Sequence, residues 1–534
     1  MKACDFPMKI SDCSFLYFVY PFLFEASTFD ARAAAIGGAG KQGRNRLIPA
    51  WEAQQVHAED LLPHVQQYLN PGQASLSGQP GPAATARLWK LGRDRDNPYR
   101  LSAEEPWQLL VKDRREGAKT GDLRLIPFRP GGTRTAPDAH LALFRVGVGL
   151  LTFHIRLDSE VQADWLDFLH YFRYTARGEE TSVTAPPGVG GRFAGIGGNA
   201  PSNFDAVLLA LLETGSLLEA GNISAATHNP EVVQPQEGPR WWSEVFVPAK
   251  MLPFAALFAD GEGGQTVPED QQSEMRYRVK NFFRSGQEIR PGAYHLRDDQ
   301  PGLLPYADGQ DFLFSIEGGA FLAFDALPTK FFRETLPSHL RQEYFLLFLL
   351  TLHQRFALMG LSAQVAEKWP VAGGDVTRQE ETFEAIRDSM LAFTARGYFA
   401  QAMQREHHHR CYLKWQETFQ IPRLYEEVRD EVREMHEYLL MKQAKHLREM
   451  QKEQAEHAKE ESEKREKREK EVNLLITTAT LAVAIPALTF GFLAINIEAY
   501  KLTVAAAAWI AVGAFSVSTL TTFVIWWRRP TRKR

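Results

Sequence analysis

The sequence predicts an α+β domain that leads through a long helical stalk into two C-terminal transmembrane helices. Three observations carry that prediction. Residues 472–497 and 502–527 are two uncharged, strongly apolar runs. Each exceeds the roughly 20 residues a helix needs to cross a bilayer. From 423 to 471 the chain has neither Gly nor Pro and is rich in Glu, Lys, Gln, Arg and Ala, all good helix formers. Before that, short β-branched and aromatic runs alternate with amphipathic stretches, without the regular strand–helix alternation of a parallel sheet.

The expected organisation is an N-terminal α+β cytosolic domain over 1–335 and its helical part over 336–421. A stalk helix over 422–471 follows, then a first membrane helix over 472–497, an outer loop over 498–501, a second membrane helix over 502–527 and a basic tail over 528–534. Pro422 opens the stalk, since proline suits a helix's first turn. Leu424, Val428, Val432, Met435, Leu439, Leu447 and Met450 form its apolar stripe, with repeated steps of eleven residues that favour a straight or slightly right-handed bundle. Beyond Met450 the reading is a solvated helix with i,i+4 charge pairs, against the alternative of a disordered charged linker.

Orientation follows from the basic residues. Lys464, Arg465, Lys467, Arg468 and Lys470 precede the first span, and Arg528, Arg529, Arg532, Lys533 and Arg534 follow the second. Only Lys501 lies between the spans. The positive-inside rule places both ends in the cytoplasm. The expected location is a bacterial inner (plasma) membrane, crossed more than once, with Trp526 and Trp527 at the interface.

Within the α+β domain, 15–24 (FLYFVYPFLF) reads as a buried strand, too short to span a membrane and without the flanks of a signal peptide. Residues 141–157 read as two strands around Gly147–Gly149, 311–325 as a hairpin turning at Gly318-Gly319, and 241–247 as a further strand. Residues 159–174 read as a helix with Val161, Trp165, Phe168, Leu169 and Phe172 on one side; helices are also expected over 338–369 and 377–419.

Composition bounds function. The 534 residues carry a net charge of -4, which argues against direct nucleic-acid binding. Cys4, Cys13 and Cys411 are too few for a disulfide framework and have no metal-site spacing. No nucleophile elbow, Walker loop or paired-carboxylate signature occurs, so no enzymatic activity is expected. The run 188–199 (GVGGRFAGIGGN) reads as a surface loop rather than a phosphate cradle. Glu406-His407-His408-His409 reads as a solvated helix face rather than a metal site, because neighbours on a helix diverge. The basic-aromatic stretch 276–284 fits an anion site and an amphipathic helix equally well. No cofactor is expected.

Asn473, Thr477 and Thr480 share one face of the first membrane helix, continued by Ala484, Ala487 and Gly491. Two readings stand side by side: a pore lining built by several copies, and a face for close helix packing.

This arrangement resembles the CorA-type magnesium transporters, a family with a Pro-Leu-Thr element in its first membrane helix and a Gly-Met-Asn motif at its outer end. Here Pro486-Ala487-Leu488-Thr489 and Ala494-Ile495-Asn496-Ile497-Glu498 stand in those places. Asn496 and Glu498 match, whereas Ala494 and Ile495 replace Gly and Met. The architectural resemblance covers about 340–534. It implies a homopentamer whose first helices line a pore for Mg2+ or a related divalent cation, with Asn496 and Glu498 at the outer mouth holding the hydrated ion. The segment 330–358 also resembles CorA-like effectors of type III CRISPR antiviral defence, which implies gating by a small anionic nucleotide messenger. A non-conducting membrane-tethered adaptor is the third expectation.

Overall fold

The computed structural model describes residues 8–38, 51–56, 58, 60–70, 85–94, 97–113, 122–131, 137–174, 181–197, 204–212, 240–245, 250–287, 289, 291–292, 301–369, 376–496 and 504–527. It divides into two compact units, Met1–Glu437 and Tyr438–Arg534.

The first unit is built on one mixed sheet. Its strands are β1 (Met8–Ile10), β2 (Phe15–Phe24), β3 (Trp51–Ala53), β4 (Ala86–Leu91), β5 (Trp107–Lys112), β6 (Leu123–Pro130) and β7 (Ala139–Phe144). They continue with β8 (Val148–Leu157), β9 (Thr181–Thr184), β10 (Trp242–Glu244), β11 (Leu252–Gly261), β12 (Leu303–Ala307), β13 (Gln310–Ser315) and β14 (Gly318–Phe324). The main order is β12-β13-β14-β11-β2-β8-β6-β5-β9, and β7, β4 and β3 branch from β8. β11 and β14 run parallel; the other pairings of described strands are antiparallel, as the sequence pattern predicts.

Strand β2 coincides with the predicted apolar run and explains it. Leu16, Phe18, Tyr20 and Phe22 enter one core, and Phe15, Tyr17 and Val19 enter the other. Successive side chains alternate faces, so a strand covered on both sides reads as continuously apolar. Pro21 sits where the partner on one edge changes from β11, paired through Val19, to β10, paired from Phe22. A residue without an N–H is tolerated at such a break.

The described helices of this unit are α1 (Phe29–Gly38), α2 (Pro63–Leu69), α3 (Gln162–Phe172), α4 (Asp205–Leu212), α5 (Glu269–Lys280), α6 (Leu336–His339), α7 (Phe345–Lys368), α8 (Val376–Arg396) and α9 (Glu406–Thr418). α10 (Ile421–Asn496) begins here, and α11 (Val504–Trp527) lies wholly in the second unit. α3 and α5 cover one face of the sheet, contributing Trp165, Phe168, Phe172, Met275 and Val279. α7, α9 and the start of α10 cover the other, contributing Leu347, Phe348, Tyr412, Trp415 and Ile421. Val161 is half exposed and precedes α3 rather than joining its apolar side.

Three further sequence expectations are corrected. The β13–β14 turn is at Ile316 and Glu317, and Gly318-Gly319 open the second strand. Those glycines serve close approach: a Cβ on Gly319 would stand 2.3 Å from Trp415, and Gly318 adopts φ +143 against Pro253. The helix expected over 377–419 is two helices, interrupted at 397–405, with Gly397 pressed on His353 and Phe393. His408 is buried rather than solvated; its Nδ1 lies 3.8 Å from Asp60, and burial holds its pKa down to about 3, so the ring is neutral. The glycine-rich run, described as far as residue 197, is the expected surface loop, with Gly188, Gly191, Arg192, Ala194 and Gly195 exposed. The amides of Gly190, Arg192 and Phe193 donate to Arg100, Pro98 and Gly190 carbonyls, and Phe193 is buried against Tyr99. Those N–H groups are therefore not available to an anion.

The basic-aromatic stretch resolves toward an amphipathic helix end. Arg276 pairs with Asp311 at 2.6 Å and Arg278 with Glu274 at 2.8 Å, while Met275 and Val279 are buried.

Candidate functional site

In the second unit the charged stalk is helical and exposed, and it continues within α10 into the apolar segment. Glu461–Arg465 at 3.1 Å and Glu466–Lys470 at 2.6 Å are pairs with the acid four residues before the base, the favourable order on a helix.

Two helices are long and apolar enough to cross a membrane: Phe331–Glu367 and Ile421–Gly491. The first is mostly buried within the first unit, so core packing accounts for its composition. The apolar window of the second has none of its residues buried. α11 carries a shorter apolar stretch, Ala508–Leu520. Exposed side chains such as Leu488, Phe490, Trp509, Leu520 and Trp527 leave an apolar surface suited to lipid rather than water.

Pro486 sits inside α10 and has no N–H, so the Ala482 carbonyl four residues earlier loses its helical donor. Ser518 of α11 is almost wholly buried and donates its hydroxyl to that carbonyl at 3.5 Å. A neighbouring helix thereby supplies the partner that hydrocarbon cannot. Thr478, Ala482, Pro486 and Thr489 are partly buried. Their steps of four, four and three residues mark one side of α10, the side that meets Ser518.

Asn473, Thr477, Thr480 and Gly491 lie roughly opposite that side at about 100° per residue. All four are exposed, a Cβ on Gly491 would meet nothing within 4 Å, and only Ala484 of the stripe is partly buried. Thr477 donates to the Asn473 carbonyl at 2.7 Å, and Thr480 to the Ile476 carbonyl at 2.7 Å. With the hydroxyl protons engaged, the threonine oxygens present lone pairs outward, chemistry that suits a hydrated cation. Asn496 is the last residue of α10, and its side chain lies outside the described residues, as do Glu498, the loop 498–501 and the tail 528–534.

The first unit also carries a polar cleft of about 760 Å³ between α2 and the helical segment 331–344. That segment consists of π-helical turns over Phe331–Thr335 and Leu340–Tyr344 on either side of α6. The sequence signals neither the π turns nor the cleft. Among the described residues no group of three or more His, Cys, Asp or Glu side chains is arranged to hold a metal ion.

Comparison with protein-family models, with curated proteins and with solved structures found no match.

Proposed function

We propose that the chain is one subunit of a CorA-like homo-oligomeric channel for hydrated divalent cations of the Mg2+ class. The observation that carries this reading is the polar stripe Asn473–Thr477–Thr480, which lies on the apolar segment of α10, on the side away from Ser518 of α11. The threonine protons are held within the helix, but the Asn473 amide and the outward threonine lone pairs gain more from water than from lipid, and a water-filled axis shared by several copies supplies it. In this reading the copies number five, both chain ends are cytoplasmic, and Asn496 and Glu498 form the outer mouth. The small residues Ala484 and Gly491 keep the axis open.

A second reading is a ligand-gated effector of type III CRISPR-type defence, opened by a nucleotide messenger. The polar cleft of the first unit supports ligand control, but its acidic lining does not suit an anionic messenger. A membrane-tethered adaptor without conduction would leave the stripe as a packing face.

Proteoliposomes loaded with a Mg2+ indicator test the reading. The expected result is protein-dependent Mg2+ entry through an assembly of five copies by native mass measurement. Absence of flux both with and without nucleotide messengers, in an assembly that is not pentameric, contradicts it.

A further inference from the structure

The cleft beside the π-helical segment has the wrong charge for an anion. Gln66 lines it from α2, and Glu334, Thr335, His339, Gln342 and Glu343 line it from the segment 331–344. No lysine or arginine is among its described lining residues. Arg405, which acts on Glu343 through its field, is paired with Asp60 at 2.9 Å.

Glu343 is the most buried acidic residue of the cleft lining. Its side chain is more than nine-tenths buried, and its Oε2 has no hydrogen-bond partner among the described residues. Burial pushes its carboxyl above the ordinary range, while His339 and Arg405 pull it down and Asp60 raises it. A buried carboxylate oxygen without a donor is costly, by roughly 1–3 kcal/mol for an ordinary buried polar atom and more for a charge. π turns are uncommon, less favourable than regular helix, and concentrated at functional sites. Here two of them bring residues 334–335 and 342–343 to the same cleft.

We propose that this cleft binds a small organic cation, which donates from an amine or guanidinium group to Glu343 and engages the side chains of Gln66, Gln342 and Thr335. A bare metal ion is disfavoured, because among the described residues the His, Asp and Glu donors do not converge as a ligand set. The cleft's volume lies in the range of small-molecule sites, about 300–1,000 Å³. The proposal concerns the first unit alone and holds whether or not the second unit conducts.

Calorimetric titration of the full chain in detergent tests it, with spermidine, agmatine and L-arginine as cationic probes and ATP as the anionic comparison. At least one cation is expected to bind saturably, one per chain. Glu343→Gln is expected to weaken that binding by at least about ten-fold, since a charge-assisted hydrogen bond becomes a neutral one. Without ligand, Glu343→Gln leaves the Tm unchanged or raises it at neutral pH, because the raised carboxyl pKa makes the folded state lose stability as pH rises through it. If Glu343→Gln does not fold, Glu334→Gln and Ser338→Trp, on the cleft's less buried wall, are expected to weaken the same binding. No binding by any of the three cations, binding unchanged in these variants, or tighter binding of ATP overturns the proposal.

Discussion

Leucine at both Thr477 and Thr480 is expected to lower Mg2+ flux in proteoliposomes by at least about ten-fold. Each substitution removes an outward hydroxyl oxygen from the face opposite α11. A hydrogen bond lost to a passing hydrated ion costs about 0.5–1.5 kcal/mol. Two losses per subunit reach the roughly 1.4 kcal/mol that slows a barrier crossing ten-fold, and every copy around the axis adds to it. Leucine preserves helix propensity and membrane insertion, so assembly is unaffected. Val483→Leu, on a lateral and exposed side of the same helix, is expected to leave flux unchanged. Equal flux in the double variant and the parent would assign the stripe to packing.

Trp415→Ala is expected to destabilise the first unit by about 3–5 kcal/mol, the cost of emptying a large aromatic site in a core. Trp415 is fully buried on α9 and meets Phe314 at 4.6 Å, Phe348 at 4.8 Å and Phe419 at 5.1 Å between ring centroids. It also lies over Gly319, where an added Cβ would approach it to 2.3 Å. One side chain therefore joins β13, α7 and the end of α9. Loss of near-ultraviolet dichroism at lower denaturant in the detergent-solubilised chain measures the effect. Trp415→Phe, which keeps an aromatic plug, is expected to lose less. A change below about 1 kcal/mol for the alanine variant would mean that this corner of the core relaxes to fill the space.

These two sites differ in how far the sequence announces them. The stripe is legible because helical period alone places Asn473, Thr477 and Thr480 together, and the helix is uninterrupted from Ile421 to Asn496. Strand β2 is legible because burial on both faces leaves a continuous apolar run. The turn before α9 and the hairpin glycines are not. Gly318-Gly319 carry a turn signature, yet Gly318 is selected by its positive φ against Pro253 and Gly319 by Trp415, almost a hundred residues later. His408 sits in a polar run and is buried because Tyr344 stacks edge-on against it at 4.8 Å, a contact no local pattern encodes. The cleft is the extreme case. Gln66 and Glu343 meet only through the fold, and π turns have no period distinct enough to read in a single sequence. The order of the sheet is similarly hidden, since β2 pairs with β8 and β11 across long stretches of chain.

The proposed pore requires that one side of α10 face water while the opposite side faces α11. Cysteine accessibility in the reconstituted assembly tests it most directly. Asn473→Cys, Thr477→Cys and Thr480→Cys are expected to react with a membrane-impermeant thiol reagent under conducting conditions. Leu475→Cys and Ala482→Cys, on the side that carries the Ser518 contact, are expected to stay protected. Protection at all five positions, or reaction at 475 and 482 as fast as at 473, 477 and 480, would contradict a pore lined by this helix.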